Sequence, residues 1–405
     1  MMPSTPGPIL SSEASATKVM PWNVKVLGFT SLLNDTAGEM IYPLLPTFLI
    51  TVLGGNKLTL GLIEGAAESV AGLLKLWSGG RSDQAGKRKV FVLFGYGMAV
   101  LTRPLIGLII APWQLFALRV TDRIGKGIRT APRDALIADS TEPAMHGRAF
   151  GFHRSMDHLG AAIGPMIATV FLLIWPDSIR TLFCLTLVPG LMVLYVLVTK
   201  LREPVVEASP KEPLKLTLKP FDRPFKAYLL TLMVFTLGNS SDTFLLVRAG
   251  ELGVPTAALP MLWCLFHIVK SLSNLYLGRA VDLFGARGFI IVGWMVYAAV
   301  YIGFGLATAA WHAWALFLCY AVFYGLTEPA EKSLVARLVG VQRKGLAYGW
   351  FNFAIGISTL PASMIFGAIY EYVGVIEAFS WGAAMAFVAS LMLVFVVKPP
   401  VQTTQ

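Results

Sequence analysis

Charge is scarce in this sequence. Only 14% of its 405 residues are Asp, Glu, Lys or Arg, where soluble domains carry roughly a quarter, and that excludes an ordinary water-soluble globule. With 56% apolar side chains, disorder is excluded except at the ends. Cysteine is nearly absent. Cys184, Cys264 and Cys319 each stand alone in an apolar run, which excludes a disulfide framework and a Cys-based zinc site. There is no Ser-His-Asp or HExxH arrangement and no ATP-binding motif, and Gly125-Lys126-Gly127 lacks the spacing of a phosphate-binding loop. These absences argue against an enzyme and against a primary pump, and no cofactor or metal is implied. Asn34-Asp35-Thr36 and Asn239-Ser240-Ser241 fit the glycosylation pattern but fall inside apolar runs, where no glycan attaches.

What the chain has in abundance is long apolar runs. Twelve reach the length of about 20 residues that a spanning helix needs: 24–50, 58–79, 90–111, 114–139, 147–174, 179–199, 227–248, 256–277, 289–309, 313–336, 346–369 and 376–397. No basic segment precedes a short apolar core before residue 24, so the first run reads as an anchor rather than a cleaved signal. Between the runs, twenty Lys and Arg fall on one side and only Lys57, Arg180 and Arg248 on the other. The side rich in basic residues is expected to be cytoplasmic, with both termini and the 201–226 linker on it. The net charge of +10 is then topological and calls for no nucleic-acid partner. The expected product is an all-α membrane protein in the inner membrane of a bacterium, its partners the bilayer, a small molecule and protons, working as a monomer.

The chain also repeats itself. Gly79, Asp83, Gly86 and Arg88 recur as Gly278, Asp282, Gly285 and Arg287, each pair 199 residues apart. Gly147, Ala149, Phe150 and Gly151 recur as Gly345, Ala347, Tyr348 and Gly349 at an offset of 198. Six spans (24–200), a charged linker (201–226) and six more spans (227–397), with short tails at 1–23 and 398–405, are two related halves. That is how many transporters build alternating access around a midplane site. The segment from Gly79 to Lys89 resembles the signature loop of the major facilitator superfamily, with Gln84 where a basic residue is usual. The resemblance implies twelve helices in two pseudo-symmetric six-helix bundles around a central cavity. It also implies that Gly79, Asp83, Gly86 and Arg88, with Asp282 and Arg287 of the second copy, belong to the gate. A carboxylate such as Asp83 is favoured near a helix N-terminus. Gly151, Gly160 and Gly164-Pro165 resemble the spacing found in proton-driven exporters of that superfamily, which implies export; a packing groove of small residues is the other reading.

Ten basic and eleven acidic residues remain inside the spans, and so many ionisable groups imply a polar interior reached by water. On the fourth span Arg119, Asp122, Arg123, Lys126, Arg129, Arg133 and Asp134 share an arc of roughly 140° at about 100° per residue. Superfamily exporters often carry Arg, then Gln and two glycines, in this helix; Arg119 resembles that Arg, while Asp122 and Arg123 depart from the pattern. Counting about 1.5 Å per residue brings Asp35, Glu68, Arg123, Asp157, His267 and Tyr324 near mid-membrane. The expected proton carriers are Asp35, Glu39, Glu68 and Asp157. The expected substrate contacts are Asn34, Arg119, Asp122, Arg123, Lys126, His153, Asn239, Asp242, His267, Tyr324 and Glu328. Three alternatives stand beside these: Asp35 permanently paired with Arg123, Glu64 and Glu68 locked to Lys75, and a divalent-cation site built from His153, Asp157, His158, His267, Glu39 and Glu68. The function expected is secondary transport of a small polar or anionic organic molecule, by export in exchange for protons or by proton-coupled uptake, with divalent-metal export a third reading.

Overall fold

A computed structural model describes residues 20–85, 87–142, 145–203, 218–219, 221–339 and 344–397. Twelve long helical segments run through them: α1 (Trp22–Ile41, continued by short turns to Val52), α2 (Lys57–Ala85), α3 (Arg88–Leu105, with a further turn to Leu108), α4 (Pro112–Asp139), α5 (His146–Ile174), α6 (Ile179–Lys200), α7 (Arg223–Glu251, broken at 239–242), α8 (Leu259–Phe284), α9 (Ala286–Leu306), α10 (Ala310–Val339), α11 (Lys344–Tyr372) and α12 (Val375–Phe395). Each coincides with an expected span. Most of the expected tails and most of the linker lie outside the described residues. Helix α7 begins at Arg223, before the expected boundary of 227, because Pro224 at its second position tolerates the missing N–H of a helix start.

Among the described residues, nine of these segments are long and apolar enough to cross a bilayer. The other three are α1, α2 and α4, which hold Asp35 and Glu39, Glu64 and Glu68, and the basic stripe. Their charges lower the hydropathy, and protein rather than lipid surrounds those charges. Apolar side chains such as Leu108, Leu173 and Phe395 are exposed on the outer faces. Trp113, Trp175 and Trp311, exposed at the ends of α4, α5 and α10 away from the linker, form part of an interfacial aromatic belt.

The packing repeats as the sequence does. In the first half α1 lies on α5 and α6, and α4 on α2 and α3; in the second, α7 lies on α11 and α12, and α10 on α8 and α9. The halves meet along α2 with α11 and along α5 with α8, two interfaces that exchange under the repeat. Glycines permit the first of these: a Cβ on Gly61 would stand 2.2 Å from the Ser363 carbonyl oxygen. Ser69 ties the same seam, its Oγ donating to the Gly356 carbonyl at 2.6 Å and accepting from the Leu360 N–H at 3.1 Å. Gly160 and Gly164 of the exporter-like spacing lie against α1, where added Cβ atoms would come 2.5 Å from the carbonyl oxygens of Leu32 and Thr36. Close helix approach requires hydrogen at both positions, and it sets Asp35 on the cavity wall.

Candidate substrate cavity

A cavity of about 390 Å³ lies between the halves. Nine basic residues line it, Lys75, Arg103, Arg119, Arg123, Lys126, Arg129, Arg133, Arg154 and Lys270, against four acids, Asp35, Glu39, Asp122 and Asp157. Asn34, Tyr42, Thr130, His158 and His267 complete the polar lining. All but His267 and Lys270 of these residues come from the first half.

Ion pairs occupy part of this set. Arg119 holds Glu64 with two parallel hydrogen bonds, Nε to Oε1 at 2.9 Å and Nη2 to Oε2 at 2.8 Å, both side chains being buried. That fork geometry is the strong form of a charge-assisted bond. Arg103 donates to Asp122 at 3.1 Å and to the Asn34 carbonyl oxygen at 2.6 Å. Arg123 pairs with Glu68 at 3.0 Å, Arg133 with the neighbouring Asp134 at 2.9 Å, and Lys270 with Glu328 at 3.0 Å. Asp157 receives Arg154 at 3.7 Å and His153 Nδ1 at 3.5 Å, together with a hydrogen bond from Ser31 Oγ.

The remainder have no opposite charge in contact. Among the described residues, Lys75, Lys126 and Arg129 make no ion pair; Arg129 instead lies 4.4 Å over the Tyr96 ring and donates to the Gly95 carbonyl oxygen at 3.2 Å. Asp35 accepts from Asn34 Nδ2 at 2.8 Å, and Glu39 accepts from Trp263 Nε1 at 2.7 Å. Neither carboxylate is in ion-pair contact with a described cation.

The structure therefore revises several expectations. Asp35 is not paired with Arg123, which Glu68 has taken; Glu64 and Glu68 are held by arginines of α4 rather than by Lys75 of their own helix. Arg119 and Asp122 line the cavity with their charges already partnered inside the first half. His153 lies behind the wall, against Asp157. Asn239, Asp242, Tyr324 and Glu328 are also off the cavity lining. At the break in α7, Asp242 accepts from Tyr320 at 2.6 Å and from Tyr324 at 3.0 Å, and Glu328 reaches the cavity only through Lys270. Among the described residues no three His, Cys, Asp or Glu side chains converge as a metal site would need, so the divalent-cation alternative loses its geometry.

Of the expected gating set, Gly86 and the side chains of Asp83 and Asp282 lie outside the described residues, and Gly79 is described only as part of α2. Arg88 pairs with Asp139 at the end of α4, and the Arg88 and Lys89 backbone N–H groups both donate to Glu203 at 2.8 Å. Lys89 Nζ donates to the Leu201 carbonyl oxygen at the end of α6, as Arg287 does to that of Leu393 near the end of α12. A cation at the start of the third helix thus satisfies free carbonyls at the end of the sixth in each half. At the opposite end of the molecule the halves are joined by ion pairing: Lys57 meets Glu251 at 2.9 Å and lies over the Tyr370 ring, whose hydroxyl donates to Glu251 at 2.7 Å. Sequence reasoning missed this latch, together with Tyr320 and the Glu39–Trp263 bond. The spacing of Tyr320 to Tyr324, one helical turn, was the available signal for the first tyrosine.

Two six-helix halves around a charged cavity match what the repeat implied, and the comparisons decide the lineage. The family model described as Major Facilitator Superfamily matches residues 27–268 and 228–405. The chain belongs to that superfamily. A relative in Methanocaldococcus jannaschii, an uncharacterised transporter of the superfamily, is 32% identical over 384 residues, covering 92% of this chain and 94% of its own length. The multidrug resistance protein MdtH of Edwardsiella ictaluri is 22% identical over 78% of this chain and 79% of its own length. MdtG of Proteus mirabilis, also a multidrug resistance protein, is 28% identical over 35% of this chain and 36% of its own length. Among solved structures, a POT family transporter in complex with 5-aminolevulinic acid superposes with a TM-score of 0.79 at 14% identity, covering 95% of this chain and 97% of its own. That likeness is one of fold. Superfamily membership makes the protein a multi-pass membrane transporter and not an enzyme.

Proposed function

We propose that this superfamily transporter moves a small organic anion by alternating access, coupled to protons, and works as a monomer in the inner membrane of a bacterium. One observation carries the reading: six of the nine basic residues on the cavity wall are ion-paired, and among the described residues three cations, Lys75, Lys126 and Arg129, remain against two carboxylates, Asp35 and Glu39. A cavity with that excess stabilises negative charge in its ligand and repels cations. With the side rich in Lys and Arg read as cytoplasmic, the halves are latched at the outer end by Lys57 and Glu251. Arg154, its side chain 63% exposed, then stands where the cavity meets the cytoplasm, so the state is read as inward-open. The expected gating residues Asp83, Arg88, Asp282 and Arg287 would act at that cytoplasmic end. Asp35 and Glu39, which lack a cation partner among the described residues, are the proton carriers this reading favours over Glu68 and Asp157, both held by arginines.

Export in exchange for protons is one direction, favoured by the relatives named as multidrug resistance proteins and by the Gly160, Gly164-Pro165 spacing. Uptake together with protons is the other, favoured by the unpaired charges on the cavity wall. The test is transport in proteoliposomes with an imposed pH gradient, using small organic anions, cations and neutral molecules. Gradient-driven accumulation or extrusion of anions is expected; movement of cations alone would overturn the reading.

A further inference from the structure

Burying an unpaired charge is costly, and the cost is removed when an opposite charge arrives. Once every ion pair of the cavity wall is set aside, the unpaired groups among the described residues are Lys75, Lys126 and Arg129 on one side and Asp35 and Glu39 on the other. The three cations all line the cavity, Lys75 from α2 and Lys126 and Arg129 from α4. Gly127 packs on α2, where an added Cβ would lie 2.6 Å from Leu74 Cβ, and Ser78 Oγ donates to the Gly127 carbonyl at 2.8 Å. That contact sets Lys75 beside Lys126, and Arg129 follows Lys126 on the same helix face at a spacing of three.

Resting on the anion reading above, we infer that the substrate is a small dianion seated on Lys75, Lys126 and Arg129, and that it loads together with protons on Asp35 and Glu39 rather than in exchange for them. The argument is one of sign. With both carboxylates ionised the unpaired groups sum to one positive charge; with both protonated they sum to three. An anion therefore binds more tightly to the protonated cavity, and by linkage the bound anion draws protons in. Exchange needs the opposite sign, substrate and proton competing for one site, which is what a cationic substrate would do.

The other charged groups facing the two carboxylates do not reverse that sign. Asp35 faces Arg103 on α3, Arg129 on α4 and Asp157 on α5. Around Asp157 stand Arg154 and His153, with His158 next along α5. Glu39 faces Arg123 and Lys126 on α4 and, on its own helix, Asp35; from α8 come Trp263, His267 and Lys270. Whatever charge these groups carry, a proton added to either carboxylate makes the cavity more positive.

The experiment uses the purified full-length protein and two strong-acid probes whose own charge does not vary with pH, methanedisulfonate and methanesulfonate. Binding is measured by calorimetry from about pH 5 to about pH 8. The dianion is expected to bind at least about tenfold tighter than the monoanion, and its affinity to fall by up to about tenfold per pH unit for each proton taken up. Asp35→Asn, fixed in the uncharged form, should flatten that dependence and hold the affinity high at the alkaline end. In proteoliposomes, external methanedisulfonate should acidify the lumen. Equal binding of the two probes overturns the substrate class. Dianion affinity that is flat or rises with pH, or a lumen that turns alkaline, overturns co-loading while leaving an anion exchanger standing. If neither probe binds or moves, the inference and the anion reading fall together. The wild-type series decides the matter if Asp35→Asn does not fold.

Discussion

In the first half of the molecule Arg119 and Glu64 are buried as a bidentate ion pair; in the second, Asp242 is half-buried under the hydroxyls of Tyr320 and Tyr324. Glu64 is neutralised by a charge, whereas Asp242 is held by neutral hydroxyls among aromatic rings. The second-half core is a stack of those rings, with Phe235 on Trp294 at 4.6 Å and Tyr297 on Tyr301 at 4.0 Å. Aromatic packing of this kind adds stability without altering the field in the cavity. On the reading proposed above, the first half supplies most of the charge that a ligand would meet, and the second adds His267 and Lys270 to the cavity wall.

Breaking the ion pair should have the largest effect. Glu64→Ala leaves the buried Arg119 only its longer contact with Asp122 at 3.9 Å, a loss of about 3–5 kcal/mol, read as a fall in the thermal unfolding midpoint of the detergent-solubilised protein. Adding Arg119→Met should restore much of it; a small effect of the single change would mean that water or another anion already compensates the arginine. On the other side of the comparison, Asp242→Asn keeps an acceptor for one tyrosine and should cost only about 1–2 kcal/mol. A loss as large as that of Glu64→Ala would show that the second half also depends on a buried charge.

Asp35→Asn sharpens the comparison in function rather than stability. The variant should exchange substrate in counterflow at near the wild-type rate yet fail to accumulate it when a pH gradient is imposed. Full gradient-driven accumulation would pass the coupling role to Glu39, which shares the cavity but is bonded to Trp263. The smallest effect belongs to the latch: Lys57 and Glu251 are both partly exposed, so Lys57→Ala should change unfolding by less than about 1 kcal/mol. A larger change would make the latch part of the structural core.

Much of the fold was legible because a bilayer demands long apolar runs and the duplicated loop fixes where the halves divide. The three helices carrying charge, α1, α2 and α4, were legible too, since Asp35, Glu68 and Arg123 still sit within runs of sufficient length. Partner choice was not. Glu64 and Glu68, at i, i+4, share a helix face with Lys75 in the sequence, but Arg123 on α4 reaches Glu68 across the helix contact made close by Gly127. Only the three-dimensional approach of α2 to α4 shows which arginine finds which glutamate. The same holds for Asp242 and Tyr324: both expected as substrate contacts, yet turned away from the cavity because the break in α7 carries Asp242 toward α10.

The central claim, that ligand charge is met by the first half alone, is tested most directly by comparing two variants in one binding assay. Lys126 lines the cavity without an ion-pair partner among the described residues, whereas Tyr324 lies behind it on Asp242. Lys126→Gln should weaken methanedisulfonate binding by at least about tenfold, equivalent to about 1.4 kcal/mol, while Tyr324→Phe should leave it within about twofold of wild type. Retained affinity in Lys126→Gln together with a loss in Tyr324→Phe would contradict the account and move ligand recognition to the second half.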